Sequence, residues 1–215
     1  MQSISPANRP HPWAQAALLL AAPAILWLGA LGISAGTEGR PSEFDAAGMA
    51  LAARGHMPLA DAFFRTITWA GSILVLMPLA LAYALFAWRR LRSAAAFFLP
   101  AALVGASLMA HATKIAVARD RPDVAALIDM PADASFPSAH TLQASSFALA
   151  WLIAPSRSGR PHVAEFSLAI VLVGLVAWSR LHLQVHFPTD VLFALAAGIV
   201  WILCLRRLPI WSKTT

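Results

Sequence analysis

The sequence predicts an all-α, polytopic membrane protein: six transmembrane helices in one bundle, with residues 1–215 forming a single domain. Three observations lead there. The chain is 59% hydrophobic and 12% charged, with a mean hydropathy of +0.67, against roughly 45–50% apolar and ~25% charged in a soluble domain. Apolar runs recur along its whole length. Its charges, finally, sort to alternate sides of those runs. One cysteine, Cys204, excludes an intrachain disulfide and sits in an apolar run, so redox chemistry is not expected. The net charge of +6 would suit nucleic acid only if the basic residues formed a stripe interleaved with aromatics, and they do not.

The runs at 13–33, 67–88 and 94–118 reach the ~20 residues that cross a bilayer core as helix. The runs at 141–154, 163–178 and 191–205 are near or below ~17 residues and need a second argument. Charge supplies it. With six spans and both termini inside, the inner side carries Arg9, Arg89, Arg90, Arg92, Arg157, Arg160, Arg206, Arg207 and Lys213 against Glu165, a net of +8. The outer side carries seven Lys and Arg against nine acids, a net of −2. That is the bias of the positive-inside rule. Trp13, Trp69, Trp88, Trp151, Trp178 and Trp211 lie near the ends of the runs, where amphipathic rings prefer the interface. The first run exceeds the roughly 7–15 residues of a signal-peptide core and is read as a retained helix. In the long connection 34–65, Phe44, Gly48 and Leu51 at helical spacing predict a short interfacial helix within 43–54.

Ionisable side chains in or beside membrane spans are costly and are therefore candidates for function. The first cluster is Lys114 with Arg121-Pro122; two helical turns separate the cations, so both face one way, and Pro122 then releases the chain into the outer loop. A lone Lys there could equally snorkel to headgroups. The second is Pro137-Ser138-Ala139-His140, where the chain enters the fourth run. Ser138 is a candidate N-cap, and the first amides of such a helix, with the dipole behind them, make an anion site. By itself this also reads as an ordinary cap. The third runs from Ser179-Arg180 to His186 and Asp190. Pro188 breaks the helix, which lets Arg180 and His186 converge and lets Asp190 hold one ring nitrogen of His186. In the six-span layout all three meet at the outer end, where Lys114, Arg121 and Arg180 with helix amides suit a phosphoryl group.

Together these segments resemble the signature of the type 2 phosphatidic acid phosphatase superfamily: Lys-x6-Arg-Pro, Pro-Ser-Gly-His, and Ser-Arg-x5-His-x3-Asp, here with Ala139 at the usual glycine. The stretch from Phe44 and Asp45 to Thr68 and Gly71-Ser72 is similar to the family less specifically. The resemblance implies a metal-independent lipid phosphate phosphatase with no cofactor. His186 would be the nucleophile, Asp190 its orienting partner and His140 the acid and base. Lys114, Arg121, Ser138, Ala139 and Arg180 would bind the phosphoryl oxygens. It further implies a bilayer setting, with a lipid substrate such as undecaprenyl diphosphate, phosphatidate or phosphatidylglycerophosphate. The composition looks bacterial, so an inner-membrane location is expected, with the site on the extracytoplasmic side and both termini cytoplasmic. The haloperoxidase branch of the same superfamily resembles larger, soluble proteins. A transporter lined by the same charges is the alternative, and would need charges near mid-membrane. His182 and His186, four apart, could pair on zinc, but Pro188 works against that alignment. His111, a turn before Lys114, is expected to support the site from behind or to pack, and His56 and His162 to lie in loops.

Overall fold

The computed structural model describes residues 12–37, 41–156 and 159–211, and among these the regular structure is all helical. The helices are α1 (Pro12–Thr37), α2 (Glu43–Ala53), α3 (Pro58–Ile67), α4 (Ile73–Leu91), α5 (Phe98–Val117), α6 (Ala139–Ile153), α7 (Val163–His182) and α8 (Pro188–Arg206). Among them, α1, α4, α5 with the 3-10 turn before it, α7 and α8 are long and apolar enough to cross a membrane. The α6 helix has 15 residues, a rise of roughly 22 Å at 1.5 Å per residue. It therefore does not reach the length of a span alone, although it stands among α4, α5, α7 and α8.

Local chemistry sets the boundaries. Ser72 caps α4, its Oγ accepting from the Leu74 amide at 3.3 Å. Arg89 and Arg90 lie in the last turn of α4, where cations complement the helix dipole. The α6 helix stops because Ala154 precedes a proline and is extended. In α7, the Glu165 carboxylate accepts from the His162 amide at 3.0 Å, and Pro188 fixes the first residue of α8. The runs expected at 163–178 and 191–205 lengthen to 20 and 19 residues because their polar flanking turns, which carry Arg180 and Asp190, are helical too.

The interior forms where α5, α6 and α8 meet. Phe98, Leu99, Leu103 and Ile202 are fully buried at one end, and Leu26, Ala106, Leu142, Ala194 and Ala197 pack toward the other. Half of the α5 span and 44% of α8 are buried, against 22% for α1, α4 and α7. Those three expose Leu20, Leu28, Leu74 and Ile170 outward, as expected of helices that face lipid. Small residues bring the backbones together: at Gly198 on α8 a methyl would collide with Ser145 Oγ and approach the Leu142 carbonyl of α6.

Several expectations change. The helix through Lys114 ends at Val117, with Ala118 left-handed at φ 49°. Arg121 consequently lies in the irregular segment 118–138 rather than two turns further along one helix face. The helix expected within 43–54 is present as α2, and a second, α3, follows it. Trp211 is not an interface anchor: it is buried, edge-on to Phe98 at 5.4 Å between ring centroids. His111 is exposed on α5 rather than packed. Arg9, Glu38, Arg40, Arg157 and Lys213, used in the charge comparison, and the side chain of Trp13, lie outside the described residues.

Replacing Gly198 by Leu is expected to lower stability by about 1–3 kcal/mol through overpacking against α6. Thermal unfolding in detergent checks this, and an unchanged midpoint would contradict the close approach.

Candidate active site

Four elements meet at one end of the bundle: α5 ends there, α6 begins, α7 ends and α8 begins. The turn between α7 and α8 is held by the Gln184 amide on the Leu181 carbonyl and the Val185 amide on the Arg180 carbonyl. Gln184 takes a left-handed φ of 60°, and its side chain donates to the carbonyls of Leu181 and Met49. This places His186, only 2% exposed, two residues before the start of α8. Asp190 occupies the third position of α8 with no exposure. One of its oxygens accepts from the Phe187 amide at 2.9 Å, from Ser135 Oγ and from His186 Nδ1 at 3.3 Å. The other accepts from Arg119 at 2.5 Å.

The tautomer of His186 follows from these partners. Its Nε2 lies 3.4 Å from an Arg121 nitrogen, which can only donate. Nε2 therefore carries the lone pair, and Nδ1 carries the proton given to Asp190. Burial pushes the His186 ring down to about 3, with Arg180 and Arg121 acting in the same direction against Asp190. The ring is thus a neutral base with its free lone pair turned toward cations.

The cations surround it. Arg121 donates to the Val185 carbonyl at 2.6 Å and to the Asp133 carboxylate at 2.6 Å. Lys114, 5% exposed, pairs with the same carboxylate at 3.2 Å and donates to the Ala134 carbonyl. Partial burial opposes ionisation of Asp133, yet Arg121 and Lys114 outweigh it and hold its carboxyl below the ordinary range. An anion is therefore already at home between these two cations. Arg180 donates to Thr68 Oγ1 at 2.6 Å, while its buried Nε has no partner among the described residues. His140 stands in the first turn of α6, where the charges of Arg180, Lys114 and Arg121 act on it. Gly71 gives it room, since a Cβ there would sit 2.9 Å from the His140 carbonyl.

The expected residues Lys114, Arg121, Ser138, Ala139, His140, Arg180, His186 and Asp190 are thus all in this one region. Ser138 is the N-cap of α6 by position, but its hydroxyl bonds to Thr141 Oγ1 at 2.9 Å instead of a backbone amide. That leaves the first amides of α6, including that of Ala139, without intrahelical acceptors. His182 turns away from His186 to Asp61, at 2.8 Å, so no His182–His186 pair forms. His56, Asp61 and His182 instead bring three possible ligand atoms within 4.8 Å of one another. Their mutual contacts are already hydrogen bonds: His182 to Asp61, and His56 Nε2 to the His182 carbonyl at 2.9 Å. His162 is the N-cap of α7.

Sequence reasoning missed Arg119, Ser135 and Asp133 in the irregular segment, and Asp45 and Thr68 before it. Arg119 and Asp133 read there only as outer-side charges. The available signal was the less specific family similarity of the stretch from Asp45 to Thr68.

The sequence profile of the PAP2 superfamily matches residues 95–213, which is more than half of the chain and contains all three clusters. This chain belongs to the PAP2 superfamily. Among similar proteins, decaprenylphosphoryl-5-phosphoribose phosphatase of Mycobacterium tuberculosis is 36% identical over 99 residues, 43% of this chain and 51% of that one. The match thus spans about half the length of that relative. The fold is similar to that of a transmembrane PAP2 type phosphatidylglycerolphosphate phosphatase from Bacillus subtilis, with a TM-score of 0.70 at 23% identity over 86% of this chain and 94% of that one. It is also similar to LpxE of Aquifex aeolicus, with a TM-score of 0.63 at 24% identity over 77% and 96% of the two chains. The PAP2 fold here is accordingly that of a multi-pass membrane protein.

Nitrogen-15 spectra of the His186 ring are expected to show one neutral tautomer, protonated at Nδ1, from pH 7 down to about pH 4. The sign follows from burial: a depressed ring takes its proton later than the unfolded chain, so its contribution to stability is whole above about 6.5 and is lost as pH falls toward 3. A ring that titrates near 6.5 would contradict the buried, cation-facing geometry.

Proposed function

We propose that this PAP2 protein is a membrane lipid phosphate phosphatase that works through a phosphohistidine. The observation that carries the proposal is the His186 ring, fixed by Asp190 at one nitrogen and presenting the other beside Arg121. A phosphate monoester or diphosphate binds with its oxygens on Lys114, Arg121, Arg180, the Ser138 hydroxyl and the Ala139 amide, displacing the Asp133 carboxylate. His186 Nε2 forms a bond to phosphorus while the bond to the leaving oxygen breaks, and His140 gives that oxygen its proton. His140 then takes a proton from water, whose oxygen attacks phosphorus. The phosphorus–nitrogen bond breaks, releasing phosphate and a neutral His186. Fixed cations stabilise the equatorial oxygens throughout, and the chemistry as drawn uses no metal.

In this reading α6 is the sixth span, shortened because its polar first turn belongs to the site. The site faces the extracytoplasmic side of a bacterial inner membrane with both termini in the cytoplasm, in keeping with the Lys/Arg bias of the sequence. The substrate is a lipid phosphate at the level of the headgroups. The relative named for a decaprenylphosphoryl-5-phosphoribose supports polyprenyl phosphates such as undecaprenyl diphosphate as candidates beside phosphatidate and phosphatidylglycerophosphate. Charges gathered at helix ends on one side, rather than at mid-membrane, favour this over transport.

Phosphate release by the purified protein in detergent, with chelator present, tests the proposal on undecaprenyl diphosphate, phosphatidate and phosphatidylglycerophosphate. Release is expected to survive chelation and to fall to background in His186→Ala. A fully active His186→Ala would overturn the mechanism. Lys114→Gln is expected to lose about 1.5–3 kcal/mol of transition-state stabilisation, roughly 10- to 150-fold in kcat/KM.

A further inference from the structure

We propose that Asp45, on the loop helix α2, is a positioning residue for phosphoryl transfer, acting through Arg119 on Asp190 and so on His186. This rests on the phosphatase reading above. The geometry is a buried carboxylate–guanidinium–carboxylate bridge. One Arg119 nitrogen donates to Asp190 at 2.5 Å and to Thr189 Oγ1 at 2.8 Å, and another to Asp45 at 2.7 Å. Asp45 is 1% exposed and also accepts from the Thr189 amide and hydroxyl, each at 2.9 Å. The guanidinium lies 4.2 Å over the Phe187 ring. The α2 helix presses directly on the start of α8, for a Cβ at Gly48 would collide with Pro188.

A bond from Asp45 to Thr189 would suffice to fasten α2 to α8. The Arg119 bridge does something more. It grips the Asp190 oxygen that faces away from His186, which fixes the carboxylate's rotation and aims the other oxygen at Nδ1. A guanidinium alone would also weaken the negative charge that His186 needs when phosphorylation makes its ring cationic. The Asp45 carboxylate offsets that cation, so Arg119 can orient Asp190 without cancelling it. Asp45 touches neither the phosphoryl site nor His186, which is why it positions rather than catalyses.

A double-mutant cycle separates this from a plain structural staple. Asp45→Asn, Arg119→Gln and the pair are compared with wild type on the best lipid phosphate, with folding checked by thermal unfolding in detergent. Each single variant is expected to lose at least about tenfold in kcat with KM within about threefold, and the pair to be no worse than Arg119→Gln alone, because Asp45 acts through Arg119. Removing the cation in Arg119→Gln should raise protonation of the His186 ring by about one pH unit, read in nitrogen-15 spectra, whereas Asp45→Asn should not raise it. Asp190, Arg121, Arg180 and His140 around the ring, and Lys114 and Ser135 near Asp190, are unchanged in both variants and cannot produce that difference. Should Asp45→Asn fail to fold, Arg119→Ala with added guanidinium ion supplies the second measurement, and restored kcat is expected. Unchanged kcat in the folded Asp45→Asn or multiplicative losses in the pair would overturn the inference, as would absence of guanidinium rescue. A wild-type protein that releases phosphate from none of the lipids would instead remove the phosphatase reading, and this inference with it.

Discussion

A carboxylate with no solvent exposure, at the end of an apolar bundle, is the constraint around which this site is organised. An ionised group in such surroundings is retained only when its oxygens are fully engaged. Asp190 meets that demand with a backbone amide, a hydroxyl, a guanidinium and an imidazole. These partners come from two separate pieces of chain: His186 and Phe187 from the α7–α8 turn, and Arg119 and Ser135 from the irregular segment after α5. Satisfying one buried charge thus fixes the relative placement of the segments that carry His186, Arg121 and Lys114. The same carboxylate accepts the Phe187 amide as an N-terminal cap of α8, so the helix and the site share a single polar anchor.

The remaining electrostatics run in the opposite sense. Lys114, Arg121 and Arg180 form a concentration of positive charge in which, among the described residues, Asp133 from the exposed rim is the carboxylate paired with Lys114 and Arg121. Arg180 keeps a buried donor unused among the described residues. A site in which positive charge exceeds its permanent partners, floored by the first amides of a helix, is poised for an anion that arrives and leaves. Burial keeps His186 neutral in this field, which is the state a nitrogen nucleophile requires.

Much of this was legible in the sequence. Composition and apolar runs gave the helical membrane bundle, and the three polar clusters named the residues that now lie together. The illegible parts share a physical cause. Periodicity extends a helix as long as nothing visible stops it, and Ala118 adopts its left-handed turn without a glycine to announce it, so Arg121 was placed on the wrong kind of element. Arg119, Ser135 and Asp133 belong to a segment without regular structure, where spacing carries no directional information. Asp45 lies 145 residues before Asp190 in the chain, and only the fold brings its helix onto Pro188. The polar turns that lengthen α7 and α8 were hidden by hydropathy for the same reason that they matter: they hold the charged residues of the site.

The whole mechanism turns on attack at phosphorus by the lone pair on His186 Nε2. The most direct measurement is mass-spectrometric peptide mapping, under conditions that preserve phosphohistidine, of protein quenched during turnover of a lipid phosphate, using His140→Ala to slow hydrolysis of the intermediate. A phosphoryl group on His186 is expected to build up in His140→Ala and to be absent from His186→Ala. Turnover with no phosphorylated residue, or with the phosphoryl group on another side chain, would contradict it.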